Sequence, residues 1–183
     1  MALEKLPSHK IEVWRDLPAI KSGVEFGGSG GDAFNDSLID GFAQSYYLRG
    51  MITGSKMKPL GWCQFLYSSP GTSENTLESE VHGTRQSVND IDRLFLSENQ
   101  RISKVQVLVD DEMIDVNGIL QLVSLIRGIR LFTTDGQASQ SIDHLRGELC
   151  MEKFDGYTVK YVTGRSGLYI DQLQFHWYRD GIN

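Results

Sequence analysis

The sequence predicts an all-β protein on two observations: short runs in which apolar and polar residues alternate, and clusters of glycine and small polar residues between those runs. Alternation with a period of two places every second side chain on one face of a strand. β-Branched and aromatic residues fill the runs, which favours strands over helices. The clearest runs are residues 105–109, 129–133, 157–161 and 173–177.

The elements follow one another along a chain that has the size of one domain. Its 183 residues, 40% of them hydrophobic and 23% charged, suffice to bury a core without a metal or a disulfide framework. We expect an N-terminal extension of unknown role at residues 1–22, one domain at residues 23–179 and a short tail at residues 180–183.

Glycine and small polar residues predict three loops within that domain. The first is a glycine loop at residues 26–34 (FGGSGGDAF), and the others lie at residues 68–76 and 134–141. Residues 88–95 leave a second interpretation open, because four apolar residues there have helical spacing behind Ser87. A single helical turn is the alternative to a strand at that place.

The charge balance argues against nucleic acid and anionic membranes as partners. Lys and Arg number 18 against 24 Asp and Glu, a net charge of −6 without a basic run, whereas binding to phosphates needs Lys and Arg. No stretch approaches the ~20 apolar residues of a membrane span. The first ten residues lack the apolar region of a secretion signal, so we expect a cytoplasmic location. In that compartment Cys63 and Cys150 are expected to be two free thiols.

Three patterns match catalytic or metal-binding motifs but lack the surroundings that the chemistry requires. Residues 27–31 (GGSGG) fit the nucleophile elbow, yet neither a helical pattern nor a base accompanies Ser29. The four histidines share no ligand spacing. The acidic run at residues 110–115 lacks the order of a calcium loop and predicts a solvated turn. The sequence therefore predicts no enzyme, no metal and no cofactor.

The most informative loop lies near the C-terminal end of the domain. Gly167 is followed four residues later by Asp171, which places the backbone N–H groups of Leu168 and Tyr169 around a carboxylate. A polyol suits such a place, because each hydroxyl both donates and accepts a hydrogen bond. On spacing alone, a simple hairpin turn is the favoured interpretation.

Three separated segments resemble the jacalin-related lectin family. Residues 27–36 (GGSGGDAFND) resemble its opening Gly-Gly-x-Gly-Gly-x-x-Phe-Asp-Asp, and residues 102–135 resemble its paired central strands. Residues 163–171 (TGRSGLYID) resemble its sugar loop, Gly-x-Ser-Gly-x-x-x-Asp. The three segments stand in the family's order along the chain.

The resemblance implies a β-prism of three four-stranded antiparallel Greek-key sheets, with a shallow monosaccharide site at one end. Carried over by position, Gly31 makes a close backbone contact, Leu168 and Tyr169 donate backbone N–H groups beside Gly167, and Asp171 accepts two sugar hydroxyls. Galactose-preferring relatives carry an amino-terminal glycine at the position of Gly31. Here Gly31 is internal, so the resemblance favours a mannose- or glucose-type glycan.

The favoured function is non-enzymatic binding of a mono- or oligosaccharide, free or on a glycoprotein or polysaccharide. One shallow site binds a sugar weakly, so useful binding needs several sites, through a homo-oligomer or fusion partners. The alternative is a β-prism that serves as a protein-interaction or targeting module without sugar affinity. The acidic charge favours it, as do residues 117–124, which border the expected site and look short for the family. A serine hydrolase is a distant third.

Overall fold

Antiparallel strands make up nearly all of the regular structure. The computed structural model describes residues 19–54, 59–69, 75–85, 91–139 and 146–179. Within these residues the strands are β1 (Ile20–Gly27), β2 (Asp32–Asn35), β3 (Tyr47–Gly54), β4 (Trp62–Ser68), β5 (Leu77–Glu78), β6 (His82–Gly83), β7 (Ile91–Phe95), β8 (Ile102–Val116), β9 (Ile119–Thr133), β10 (Glu148–Glu152), β11 (Thr158–Ser166) and β12 (Ile170–Tyr178). A 3-10 turn, Asp36–Leu38, follows β2. In these ranges no helix is long and apolar enough to cross a membrane.

The strands form three sheets that enclose one core. The first sheet has the order β1-β12-β11-β2, the second β5-β4-β3-β7 with β6 also on β4, and the third β10-β8-β9. The predicted all-β class is confirmed. The described strands divide as four, five and three rather than four in each sheet. The second sheet has five strands because the two short strands β5 and β6 both pair with β4.

The predicted alternations supply the core side chains. Leu173, Phe175 and Trp177 of β12 are fully buried, and the residues between them are more exposed or face the other side of the sheet. The second and third sheets contribute in the same way, with Phe65 and Ile126 among the fully buried side chains. Burial of such residues from three sheets is the main favourable term in the fold.

The acidic run at residues 110–115 is not a solvated turn, and that prediction is wrong. These residues belong to β8, which continues to Val116 and pairs with β9 in a long hairpin. Arg127 of β9 offsets part of the charge, because its guanidinium lies 2.9 Å from Asp110 and 2.6 Å from Glu112. Opposite charges on adjacent strands of one sheet stabilise their pairing.

The alternative of a helical turn at residues 88–95 is also wrong for the part that the structure describes. Ile91–Phe95 is the strand β7, which pairs with β3. Cross-strand pairing of Leu94 with Met51, a core residue, explains why apolar residues recur there. Val88 lies outside the described residues.

Both cysteines are free thiols, as predicted. Cys63 is buried in β4, and Cys150 is partly exposed in β10. Burial, followed by the negative charge of Asp36, raises the pKa of the Cys63 thiol well above its usual range. A protonated, buried thiol is a poor nucleophile, so Cys63 acts as a small apolar core residue.

Glu152 of β10 ties the third sheet to the first. A bulge in β1 between Ser22 and Glu25 interrupts the regular pairing with β12. Within it the N–H of Val24 donates to Glu152 Oε2 at 2.7 Å, and the indole Nε1–H of Trp177 donates to Glu152 Oε1 at 2.6 Å. The carboxylate is buried, and both of its oxygens are satisfied by the first sheet, as a buried charge requires.

A second buried carboxylate, Asp36, ties the second sheet to the first. The phenol of Tyr67 donates to its Oδ2 at 2.5 Å, and Nε2–H of His82 donates to its Oδ1 at 2.8 Å. The His82 ring also stacks on Phe34 of β2, with 3.6 Å between ring centroids. His82 directly precedes Gly83 and Thr84, which lead toward the end of the first sheet.

We expect Tyr67→Phe to lower the free energy of unfolding by about 1–3 kcal/mol, because the change leaves a buried carboxylate oxygen without its donor. Tyr46→Phe is the matched control: it removes the same hydroxyl from a less buried ring that also packs on Phe42. Urea denaturation of the two variants and the wild type measures the difference. Equal stability losses in the two variants would contradict the role given to Asp36.

Candidate functional site

The candidate site lies where the first and last of the described strands, β1 and β12, meet. β1 pairs with β12 as far as Gly27 opposite Gln172. β2 pairs with β11 as far as Asp32 opposite Ser166. The glycine loop between β1 and β2 and the turn between β11 and β12 therefore lie side by side at one end of the first sheet.

Asp171 contacts the glycine loop through its backbone and through its carboxylate. The N–H of Gly28 donates to the carbonyl of Asp171 at 2.9 Å. A Cβ atom on Gly31 would lie 2.7 Å from Asp171 Oδ2 and 2.6 Å from the Ser166 carbonyl oxygen, and Gly31 has a φ of +63°. Only glycine allows this backbone conformation and this approach together. The contact of Gly31 with a sugar stays a prediction.

The turn between β11 and β12 presents backbone donors beside that carboxylate. The N–H of Gly167 donates to the Tyr169 carbonyl at 3.0 Å and also interacts with the Asp171 carboxylate. Among the described residues, no partner is found for the N–H groups of Leu168 and Tyr169. Leu168 is exposed and Tyr169 is partly exposed.

The carboxylate of Asp171 is in a mixed electrostatic environment. Burial raises its pKa above the ordinary value of 3.8, while the positive charge of Arg165 and the N–H of Gly167 act in the opposite direction. The carboxylate therefore takes up a proton at a higher pH than an exposed aspartate does. It is the charged hydrogen-bond acceptor of the site.

Arg165 clamps the glycine loop, and sequence analysis missed this role. Its Nε–H donates to the Gly30 carbonyl at 2.9 Å, and its Nη2–H donates to the Gly31 carbonyl at 2.7 Å. The rigid fork of the guanidinium suits two adjacent acceptors. The position of Arg165 inside the GRSG motif was the available signal, but the sequence does not show which carbonyls it meets.

Two further segments border the site. Thr84, beyond β6, donates its hydroxyl to the Gly167 carbonyl at 3.2 Å. Gly28 lies against β9, since a Cβ atom there would be 2.6 Å from the Ser124 carbonyl oxygen. Residues 117–124, which were expected to border the site, form the turn of the β8–β9 hairpin and the start of β9. No local sequence signal linked Thr84 to this site.

The structure brings all five predicted site residues to one place: Gly31, Gly167, Leu168, Tyr169 and Asp171. Ser29 is exposed in the glycine loop, and the strand β2 rather than a helix follows it, so the nucleophile elbow is absent. In the part of the chain that the structure describes, no group of three or more His, Cys, Asp or Glu residues is placed to hold a metal ion.

Comparison by sequence finds no matching protein-family model and no matching curated protein. Comparison by structure does find relatives. Artocarpin, solved in complex with mannotriose, superposes with a TM-score of 0.68 at 15% identity, over 88% of this chain and 99% of that one. A mannose-specific jacalin-related lectin from Morus nigra, solved with mannose, gives 0.66 at 16% identity, over 89% and 97%.

A mannose-binding jacalin-related lectin from Ananas comosus is equally similar, with a TM-score of 0.67 at 13% identity over 89% of this chain and 100% of that one. Each comparison covers nearly the whole of the other protein. At these identities the likeness is one of fold. The chain has the β-prism fold of the jacalin-related lectins.

Proposed function

We propose that this protein is a lectin, which binds a mannose- or glucose-type glycan reversibly at the end of the first sheet. The observation that carries the proposal is that the site combines a hydrogen-bond acceptor with hydrogen-bond donors. The Asp171 carboxylate lies beside the backbone N–H groups of Leu168 and Tyr169, for which no partner is found among the described residues. A hexose offers adjacent hydroxyls that donate to the carboxylate and accept from the N–H groups.

The remaining groups around the site support binding without bond cleavage. Arg165 already occupies the carbonyls of Gly30 and Gly31, so Asp171 is the acceptor left for the ligand. Of the two histidines that the structure describes, His82 bonds to Asp36 and His176 bonds to Ser22 and Thr163, so neither pairs with Ser29 of the loop. A site with one carboxylate and two backbone donors suits recognition of a neutral polyol.

The sugar class rests on two supports. The three similar structures are described by their names as a complex with mannotriose, a mannose-specific lectin in complex with mannose, and a mannose-binding lectin. Gly31 lies inside the chain, between Gly30 and Asp32, so its nitrogen is an amide and not the free amine of the galactose-preferring proteins. Both supports favour a mannose- or glucose-type hexose over galactose.

A second candidate function is protein interaction without sugar affinity. The observation in its favour is the contact between the Gly167 N–H and the Asp171 carboxylate. This contact partly satisfies the hydrogen-bonding capacity of the carboxylate within its own turn, as is expected of an aspartate with a purely structural role. The two candidates differ in what Asp171 does, so substitution of Asp171 separates them.

Asp171→Asn should weaken binding of methyl α-mannopyranoside roughly tenfold to a hundredfold. The change keeps the shape but replaces a charged acceptor by an amide, and hydrogen bonds to charged groups contribute about 1.5–3 kcal/mol. Isothermal titration calorimetry measures the affinity. Asp40→Asn, which removes an exposed carboxylate outside the site, is the control. If Asp171→Asn lowers the melting temperature while a sugar still binds with unchanged affinity, Asp171 is structural.

Sugar binding should weaken as the pH falls, starting at a higher pH than an ordinary aspartate would cause. The reason is that burial raises the Asp171 pKa, and protonation removes the charged acceptor. Affinity is therefore full above that raised pKa and is lost as the pH falls through it. Calorimetric titrations across the acid range measure the profile. Asp171→Asn should show a flat profile, and an identical pH dependence in this variant would assign the effect to another group.

Arg165→Met should weaken sugar binding about three- to tenfold, because the glycine loop loses two charge-assisted hydrogen bonds that hold it against the turn. Arg93→Met, which alters an exposed arginine of β7, is the matched control and should bind normally. Hydrogen–deuterium exchange of the glycine loop, measured on the same variants, should accelerate only in Arg165→Met. Unchanged exchange would show that the clamp is dispensable.

A further inference from the structure

The end of the molecule opposite the candidate site brings together tyrosines from two sheets. Tyr178 ends β12 and pairs with Thr158 at the start of β11, whereas the candidate site lies at the other end of the same strand pair. Tyr47 begins β3 in the second sheet, and its ring centroid lies 5.7 Å from that of Tyr178. Strand ends of the first and second sheets therefore meet here.

Two cations lie against these tyrosine rings. The ammonium nitrogen of Lys160 is 5.0 Å from the ring centroid of Tyr47 and 4.7 Å from that of Tyr178. The guanidinium carbon of Arg101 is 5.0 Å from the Tyr47 centroid. A cation at such distances is attracted by the negative face of an aromatic ring. The rings therefore stabilise two positive charges close together at this end.

A second pair of rings and cations continues the same surface. The Lys21 ammonium nitrogen is 3.7 Å from the ring centroid of Phe154, and the Arg179 guanidinium carbon is 6.0 Å from that of Tyr157. The two ring centroids are 6.4 Å apart, and Arg179 directly follows Tyr178 in the chain. We define the cation–aromatic surface as the four cations Lys21, Arg101, Lys160 and Arg179 with the four rings Tyr47, Phe154, Tyr157 and Tyr178.

A buried arginine adds to the positive charge beside Arg101. The Arg49 guanidinium donates to the Gln100 carbonyl at 2.5 Å and to the Ser97 carbonyl at 2.8 Å. The Arg101 guanidinium donates to the same Gln100 carbonyl at 3.3 Å. Burial, followed by the positive charge of Arg101, lowers the pKa of Arg49, and the negative charge of Glu98 acts in the opposite direction. Two like charges therefore share one neutral acceptor, an arrangement that a nearby anion would stabilise.

Two carboxylates at this end are engaged by other groups. Asp135 accepts hydrogen bonds from two polar side chains, and Asp155 forms an ion pair with Lys153 at 3.0 Å. Over the described ranges, neither Lys21 nor Arg101 forms a salt bridge. This end therefore carries an excess of positive charge, although the whole chain has a net charge of −6.

We propose that the cation–aromatic surface binds an acidic segment of a partner protein. Its cations are spread over four rings instead of surrounding one point, which suits several separated carboxylates better than a single phosphate group. The rings offer apolar contact to the peptide between its charges. Lys21 is exposed, and the partly exposed members are Arg101, Phe154, Tyr178 and Arg179.

This binding surface goes beyond the proposed function and does not depend on it. The cation–aromatic surface and the candidate site lie at opposite ends of the β11–β12 pair. A sugar and an acidic peptide would therefore bind without competing. A protein with both sites would connect a glycan to a second protein.

The probe for the test is fluorescein-labelled hexaglutamate, titrated with the full chain at low ionic strength and followed by fluorescence anisotropy. We expect saturable binding that weakens as salt is added, because salt screens exposed charges. Lys21→Gln and Arg101→Gln should each weaken this binding about two- to fivefold, the effect of losing one exposed ion pair. Neither variant should change the affinity for methyl α-mannopyranoside.

Arg85→Gln is the matched control. Arg85 is exposed, and its guanidinium carbon lies 4.5 Å from the ring centroid of Trp62. It directly follows Thr84, which borders the candidate site at the other end of the molecule. The substitution therefore removes the same charge from a similar ring contact, and it should leave the affinity for hexaglutamate unchanged.

Three results would overturn the inference. The first is an absence of saturable hexaglutamate binding at low ionic strength. The second is an equal loss of affinity in Lys21→Gln, Arg101→Gln and Arg85→Gln, which would show attraction to the charge of the whole molecule. The third is equally tight binding of a six-residue oligodeoxythymidylate, which would make the surface one for nucleic acid. If hexaglutamate binds as expected but methyl α-mannopyranoside does not bind, the lectin proposal alone is overturned.

Discussion

The candidate site depends on the pairing between the two ends of the domain. The Arg165–Gly31 hydrogen bond joins residues that are 134 positions apart, and only the closure of β1 on β12 and of β2 on β11 brings them together. Closing so long a loop costs conformational entropy, which grows slowly with loop length. Core side chains of β12 such as Phe175 and Trp177 offset that cost, because the strand that carries Asp171 also carries part of the core.

Two buried carboxylates then hold the second and third sheets against the first. Glu152 accepts hydrogen bonds from β1 and β12, while Asp36 accepts them from β4 and β6. Neither carboxylate meets a lysine or arginine in these contacts. Each is stabilised by donors from a neighbouring sheet, and loss of one donor would leave a buried carboxylate partly unsatisfied. One of these contacts lies close to the site, since His82 is two residues before Thr84, whose hydroxyl donates to the Gly167 carbonyl.

Much of the fold was predictable from the sequence, because its signal is local. Strand alternation requires only neighbouring residues, and residues 105–109, 129–133 and 173–177 all lie in strands as predicted. The site residues were predictable for a different reason. Gly31 and Asp171 belong to short motifs whose glycines allow a close backbone approach, and the structure does bring those motifs together.

The features that sequence analysis missed depend on strand register. The sequence of the acidic run at residues 110–115 predicts a turn, because its partner Arg127 lies on another strand. The ion pairs with Arg127 can be identified only once the pairing of β8 with β9 is known. The hydrogen bonds from Arg165 to the glycine loop and the contact between Gly28 and Ser124 likewise depend on which strands pair and in which register. The question that follows from this geometry is whether the acceptor at Asp171 serves a ligand.

Amide resonances of the 15N-labelled full chain, followed during titration with methyl α-mannopyranoside, address that question most directly. The account predicts that the N–H signals of Gly31, Leu168 and Tyr169 move together and saturate with one dissociation constant. Signals from β7, in the second sheet, should stay in place. An absence of shifts at high sugar concentration, or saturable shifts centred on another part of the molecule, would contradict the account.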